Sequence, residues 1–176
     1  GCEVTRFERN KRGVPIRISC FNHLGQPVAD VRSVHAKTLT RNEFGNDVEH
    51  RYFDIHGVRT ARVNDGCWGF KFVYDRAGQS VTSSCIDAEG NPMALKGAAH
   101  ASFWFGRDEN GCQVRTRWFN AKGERVSMRG IFEIATRRDE TCEQLSYEQR
   151  DAAGNLALGD ANASTPSIEF KLNEQG

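Results

Sequence analysis

The six cysteines are the residues whose types and spacing could most directly do chemistry. They are Cys2, Cys20, Cys67, Cys85, Cys112 and Cys142. An even number of cysteines is compatible with disulfides, which form in oxidising compartments. A zinc site would favour close spacing such as C-x-x-C, which does not occur. Another interpretation is that Cys2 is the lipidated first residue of a bacterial lipoprotein. The elements that carry the cysteines must decide among these interpretations.

Catalysis by a histidine requires a neighbouring nucleophile and an orienting acid. The chain has five histidines: His23, His35, His50, His56 and His100. None lies in a G-x-S-x-G, an H-E-x-x-H or a glycine-rich phosphate motif. We therefore predict that the protein is not an enzyme and uses no cofactor or metal. A small hydrolase that uses His100 or another histidine stays as an alternative.

Charge and hydropathy argue against nucleic-acid and membrane partners. The formal net charge of the 176 residues is +1, so no overall positive field would hold a polyanion. No apolar run approaches the roughly 20 residues of a membrane-spanning helix. Six arginines cluster in the C-terminal half, where acidic neighbours predict a solvated face. They are Arg115, Arg117, Arg125, Arg129, Arg137 and Arg138.

A short pattern, Asp or Asn followed three residues later by Gly, recurs in two series. The first series comprises Asn10–Gly13, Asn42–Gly45, Asp75–Gly78, Asp108–Gly111, Asp139–Cys142 and Asn173–Gly176. The second comprises Asn22–Gly25, Asp54–Gly57, Asp87–Gly90, Asn120–Gly123 and Asp151–Gly154. The last position of the motif advances by 12 from the first series to the second, and by 19 to 22 back to the first. The chain therefore repeats with a period of about 33 residues.

Each motif predicts a tight turn between two strands. The Asp or Asn side chain accepts a backbone hydrogen bond two residues on, and Gly adopts the positive φ. Apolar residues alternate beside the first-series turns, as at Phe70 and Phe72, which is typical of half-buried strands. Cys142 replaces Gly, so we expect strain or another turn type there.

The predicted fold is all-β. Tandem hairpin repeats of about 33 residues should form an elongated, twisted antiparallel sheet or a two-layer array. The expected repeats cover residues 1–21, 22–53, 54–86, 87–119, 120–150 and 151–176, of which the first and last are partial. The last motif ends the chain inside a turn. We expect a piece of a longer protein or an edge that a partner strand completes, with a frayed tail as the alternative.

The repeat predicts which cysteines pair. Cys2 and Cys20 occupy the same two repeat positions as Cys67 and Cys85, on either side of a first-series turn. Cross-strand neighbours lie near the reach of a disulfide, so we predict that each pair is bonded. Strict pairing about the turn leaves the partners one residue out of register, which requires a β-bulge. A third disulfide is predicted between the two remaining cysteines, near adjacent first-series turns.

Two tryptophans are the candidate binding residues. In the run Phe103-Trp104-Phe105 the two phenylalanines should face the core, and Trp104 should face the other side of the sheet. Trp68 would share that side if the bulge shifted its parity. Aromatic side chains on a solvated sheet face can mark a binding surface. The alternative is that both faces are covered.

The motifs Tyr74-Asp75-x-x-Gly78 and Phe53-Asp54-x-x-Gly57, with Asp87-x-x-Gly90-x-Pro92, resemble tyrosine-aspartate (YD) repeats of bacterial secreted proteins. The resemblance covers nearly the whole chain and implies a surface or secreted scaffold.

We therefore expect an extracellular, periplasmic or cell-surface binding module or spacer without enzymatic activity. Its partner would be a protein, a peptide or a glycan, with possible strand pairing at the C-terminal edge. The alternative is an accessory or inhibitory domain of a larger secreted enzyme or toxin.

Overall fold

The computed structural model describes residues 1–157 and 167–169, which form one open antiparallel sheet. The strands are β1 (Val4–Arg9), β2 (Pro15–Phe21), β3 (Ala36–Arg41), β4 (Asp47–Phe53), β5 (Gly69–Tyr74), β6 (Ser80–Ile86), β7 (Ser102–Arg107), β8 (Gln113–Phe119), β9 (Arg125–Val126), β10 (Glu133–Arg138), β11 (Gln144–Arg150) and β12 (Ser167–Glu169). Eleven strands follow one another across the sheet in chain order, and β9 pairs with β8 alone. The described residues contain no helix. The predicted all-β class is confirmed. Of the two expected arrangements, the strands form the single antiparallel sheet.

The two outermost strands of the sheet are β1 and β12. β12 pairs with β11 through three residue pairs. The turn expected at Asn173–Gly176 lies outside the described residues. Partner pairing at the C-terminal edge therefore stays a prediction.

The first-series turns close the hairpins as predicted. In the turn between β5 and β6, the Asp75 side chain accepts hydrogen bonds from the backbone N–H groups of Ala77 and Gln79, at 3.0 and 2.9 Å. Gly78 has φ +77° and donates its N–H to the Asp75 carbonyl. A left-handed residue that closes a three-residue loop is typical of a type I turn with a glycine bulge.

Cys142 adopts the same turn geometry without glycine. Its φ is +68°, and its N–H donates to the carbonyl of Asp139. The Asp139 side chain accepts from the N–H groups of Thr141 and Glu143, as in the other turns. Of the two expected consequences, the turn type is kept, and Cys142 takes a left-handed conformation that a side chain disfavours by about 1–2 kcal/mol.

Second-series turns do not close hairpins of comparable length. Each leads into a single bridge or a two-residue strand, as between Phe53 and Arg59, and the chain then turns again. In the connection before β3, for example, Asp30 accepts the N–H of Ser33 and donates its own N–H to Val34. The two series of sequence motifs did not predict these third turns. They return the chain to the sheet for the next hairpin.

All five hairpins contain the predicted β-bulge, in the second strand just after the turn. The unpaired residues are Ile16, Val48, Val81, Val114 and Leu145. The bulge places Phe70, not Cys67, directly opposite Cys85. The prediction that the cysteines face each other across the strands was therefore wrong. Cys67 precedes β5 and reaches Cys85 because the chain bends there.

Gly69, the first residue of β5, lies unusually close to β4. It pairs with Arg51 on one side and Ile86 on the other, and a Cβ at this position would overlap the carbonyl of His50. β4 and β5 can approach only because the side chain is absent.

The sheet has two chemically different faces. Pairing across the strands places Leu39, His50, Phe70 and Cys85 on one face, which we call the aromatic face. The opposite face, called the charged face, carries ion pairs between neighbouring strands. They join Arg17 to Glu8, Lys71 to Glu49, and Arg117 to Glu133.

Connecting segments cover the middle of the aromatic face. Arg62, from the segment before β5, lies over the rings of Tyr52 and Phe70 at 5.1 and 4.9 Å from the centroids. Tyr52, Cys85 and Trp118 are buried there. The core is therefore a layer between the sheet and its own connections.

A side chain just before four of the first-series turns links neighbouring hairpins. Four such side chains donate a hydrogen bond to a backbone carbonyl at the start of the preceding hairpin's second strand. The pairs are Arg41 to Pro15, Tyr74 to Asp47 at 2.8 Å, Arg107 to Ser80 at 3.2 Å, and Arg138 to Gln113 at 2.7 Å. These long-range bonds were not anticipated from the sequence. They align the turns along one edge of the sheet.

Candidate functional site

The structure places all six cysteines in three pairs at disulfide distance. The Cα–Cα distances are 5.1 Å for Cys2 and Cys20, 5.4 Å for Cys67 and Cys85, and 5.2 Å for Cys112 and Cys142. The pairs match the prediction, and no free thiol remains. Two pairs close a single hairpin, whereas the third ties two adjacent turns. The cysteines thus have a structural role and offer no nucleophile.

Trp104 lies half-buried on the charged face, as predicted from its parity. Register places it between Thr82 and Arg117, and its ring packs over Gly106. The Arg117 guanidinium lies 5.0 Å from the ring centroid and also pairs with the buried Glu133. Such a cation–π contact holds the indole in place. Trp104 is therefore a positioned side chain with an accessible edge.

Trp68 occupies a different environment. It is half-buried just before β5. Its backbone N–H donates to the Ile86 carbonyl, and its backbone carbonyl accepts a hydrogen bond from the Tyr52 N–H. The bulge of this hairpin lies in β6, at Val81, and the placement of Trp68 on the same side as Trp104 stays a prediction. None of the ring contacts among the described residues joins Trp68 to Trp104.

Two adjoining grooves open between consecutive first-series turns, and we call them the turn grooves. The first has a volume of about 790 Å³ and lies between residues 42–46 and 75–78. The second has a volume of about 520 Å³ and lies between residues 75–79 and 108–111. Asp75 and Ala77 line both, so the two grooves share a wall.

Aromatic side chains and charged groups line the turn grooves together. Phe72 and Tyr74 line the first groove with Phe44, which is 80 % exposed. Trp104 and Phe105 line the second. The charged lining residues are Asp75, Arg76, Arg107, Asp108 and Glu109. Aromatic and arginine side chains in a concave surface are characteristic of sites where a few residues carry most of the binding energy.

Sequence reasoning identified Trp104 but missed Phe44. A signal was available, because Phe44 occupies the third position of the motif Asn42–Gly45, where a turn exposes its side chain to solvent. Leu24 occupies the same position of a second-series turn and is 69 % exposed. The side chain alone therefore does not mark a site. The neighbouring turn, which supplies the second wall of the groove, makes the difference.

Two of the histidines, His50 and His100, pack against aromatic rings. His50 lies 3.2 Å from a carboxylate oxygen of Asp47, and its ring meets Phe72 edge-on, with 5.0 Å between centroids. His100 is buried against Phe103. Burial lowers the pKa of both histidines below 6.5, and at His50 it outweighs the opposing effect of Asp47.

These lowered pKa values predict acid-sensitive stability. The unfolded chain binds protons more tightly at His50 and His100, so their contribution is present above pH 6.5 and is lost as the pH falls through the lowered folded values. Hydrogen bonds, chiefly from the Asn91 N–H, lower the pKa of Asp87 below 3.8. Protonation of this carboxylate therefore affects stability only below the pH range in which the histidines titrate. We expect urea midpoints to be lower at about pH 5 than at about pH 7.5.

Substitution of both histidines tests this prediction. In the His50→Gln, His100→Phe double variant, the difference between the two midpoints should shrink, because neither new side chain titrates. An unchanged difference would show that other groups cause the pH dependence.

Neither a metal-binding cluster nor a membrane-spanning helix is found in the part of the chain that the structure describes. No group of three or more His, Cys, Asp or Glu residues there could hold a metal ion. The same residues contain no helix long and apolar enough to cross a membrane.

Comparison with known proteins assigns no family. No protein-family model matches this chain, and no curated protein matches it. The resemblance to tyrosine-aspartate repeats stays a prediction from motifs such as Tyr74–Gly78. The turn grooves are accordingly interpreted from their own geometry.

Proposed function

We propose that the protein is a non-enzymatic binding module that holds an extended segment of a partner protein across the two turn grooves. The observation that carries this proposal is the aromatic lining of two adjoining grooves along one edge of the sheet, in which Phe44 is exposed and the other rings are half-buried. Phe44 projects from one turn, and Trp104 lines the groove beyond the next. Because Asp75 lines both grooves, the grooves lie side by side and could hold one elongated ligand.

The arrangement of rigid and polar groups supports a protein ligand. Tyr74 and Arg107 line the grooves while their side chains also bond to the preceding hairpin, so they are fixed before a ligand arrives. A preorganised surface loses less entropy on binding. Asp108 and Glu109 beside Arg107 offer charged contacts at the rim, which contribute orientation more than affinity.

The disulfides support a location outside the reducing cytosol. Three cysteine pairs in one small domain are typical of secreted proteins and of the bacterial periplasm. We infer an extracellular, periplasmic or cell-surface site of action. There the disulfide-linked sheet would present its turn grooves to partner proteins.

A random-peptide display selection on the whole chain tests the proposed function. Enriched peptides should bind the wild-type protein but lose at least about tenfold in affinity for a Phe44→Asn variant, because the exposed aromatic anchor is gone. Asn occupies the equivalent turn position at residue 110, so the variant should fold normally. Leu24→Asn is the matched control, since it removes an exposed side chain from a turn away from the grooves.

Two results would refute the proposal. Enriched peptides that bind Phe44→Asn as tightly as wild type would place their site elsewhere. A selection without enrichment, combined with Phe44-dependent binding on a glycan array, would assign the grooves to carbohydrate.

A further inference from the structure

β1 is an outer strand whose second edge has no partner among the described residues. All six of its residues are exposed, including Phe7 at 50 %. Each of the other four strands that open a long hairpin, β3, β5, β7 and β10, also pairs with the second strand of the preceding hairpin. β1 therefore presents an unused edge, which in other proteins attracts a further strand.

Hydrogen bonding within the first hairpin shows which backbone groups point to that edge. Cys20 donates its N–H to His35 and accepts at its carbonyl from Val28, so its backbone groups point away from β1. Thr5 lies directly opposite Cys20 and forms the non-hydrogen-bonded type of pair with it. The backbone groups of Thr5, and two residues on those of Phe7, consequently point outward.

We propose that β1 pairs in antiparallel fashion with β1 of a second copy of this chain, about a two-fold axis at Phe7. In this register Phe7 lies opposite Phe7 of the second copy, and Thr5 lies opposite Arg9. Arg6 lies opposite Glu8 of the second copy, and the two-fold axis generates a second, identical Arg6–Glu8 pair. The sequence Val-Thr-Arg-Phe-Glu-Arg of β1 is thus self-complementary in charge about its central phenylalanine.

The side chains are placed to use this register. Arg6 and Glu8 both lie on the charged face, because they stand opposite Ser19 and Arg17 in the same hairpin. Glu8 keeps 67 % of its side chain exposed despite a 3.6 Å contact with Arg17. The Arg6 guanidinium lies over the Phe21 ring, 4.1 Å from its centroid, at the surface. Phe7 lies on the aromatic face, where two copies would extend one apolar stripe.

Charge excludes the neighbouring registers. Shifting the second strand by two residues keeps the outward groups aligned but sets Arg6 opposite Arg6. The shift in the other direction sets Glu8 opposite Glu8. Like charges directly across a strand pair are destabilising, whereas opposite charges stabilise it. The register centred on Phe7 is the one that satisfies both backbone and charge, and isologous pairing of this kind is the commonest form of dimer.

Sedimentation analysis of the intact chain over a range of concentrations tests the proposal. We expect a concentration-dependent dimer, which Arg6→Glu or Glu8→Arg should each weaken about tenfold, because two symmetry-related pairs become repulsive. The Arg6→Glu, Glu8→Arg double variant restores opposite charges and should recover dimerisation to within about threefold of wild type. A monomer at all concentrations up to about 1 mM, or a dimer insensitive to the single reversals, would overturn the proposal.

Thr5→Pro supplies a second test that does not depend on charge. It removes an N–H that no strand among the described residues uses, so the monomer should keep its fold and its urea midpoint. Dimerisation should be abolished, and hydrogen exchange at Phe7 should no longer slow as concentration rises. Retention of the dimer in Thr5→Pro would overturn the pairing of β1 edges.

Discussion

Replacement of Trp118 by alanine is expected to lower the free energy of unfolding by about 3–5 kcal/mol. Trp118 is only 2 % exposed and is the largest fully buried side chain. Its neighbours across the strands are Phe103 in β7 and Val126 in β9. Alanine would leave a cavity that β-sheet pairing on both sides prevents from closing. Urea unfolding followed by far-ultraviolet circular dichroism measures the change without relying on tryptophan fluorescence.

Trp118→Phe is the matched control. The indole Nε1 of Trp118 has no hydrogen-bond partner among the described residues, so phenylalanine removes volume without breaking a bond seen in the structure. We expect this variant to lose about 1–2 kcal/mol, less than half the loss of alanine. Equal losses for the two variants would contradict the interpretation that filled volume, rather than a specific indole contact, makes Trp118 important.

The second large effect is expected from the double variant Cys67→Ala, Cys85→Ala. The disulfide joins residues 18 apart, and chain-entropy arguments assign about 3 kcal/mol to a loop of this size. Both cysteines are fully buried, so alanine also removes packed sulfur atoms from the core. We expect a loss of about 3–5 kcal/mol, measured by urea unfolding under non-reducing conditions.

Cys2→Ala, Cys20→Ala separates the two contributions. This pair has the same separation of 18, so the unfolded-state term is the same. Cys2, however, is exposed at the outer hairpin, where little packing is lost. The inner pair should therefore be the more destabilising of the two. If both variants lose equal stability, loop closure alone explains the effect and core packing at Cys67 and Cys85 contributes nothing.

The turn grooves depend on the relation between hairpins rather than on any one hairpin. Tyr74 and Arg107 each bond to the hairpin before them, and this keeps successive turns side by side. Between aligned turns, a projecting residue such as Phe44 becomes one wall of a groove. These bonds between hairpins thus connect the stability of the array to the shape of the proposed binding surface.

The sequence by itself determined the local elements of this protein. The hydrogen bonds of this turn span only the five residues 75–79, so Asp75 and Gly78 contain nearly all the information needed for their turn. Alternation of Phe103 and Phe105 likewise depends only on the pleat of one strand, and the rings share a face. The cysteine partners followed from the symmetry of the motifs, without knowledge of their geometry.

Only the tertiary structure decided how those elements meet. The bulge at Val81 placed Cys85 opposite Phe70, and the missing side chain of Gly69 let β4 and β5 approach each other closely. The position of a bulge and the close approach of two strands depend on contacts across the sheet, which no short window of sequence contains. The turn grooves lie between residues about 33 positions apart in sequence, and the free edge of β1 is defined by its place in the sheet. Local hydrogen bonding therefore specified the hairpins, whereas their non-local register and stacking created the surfaces available for binding.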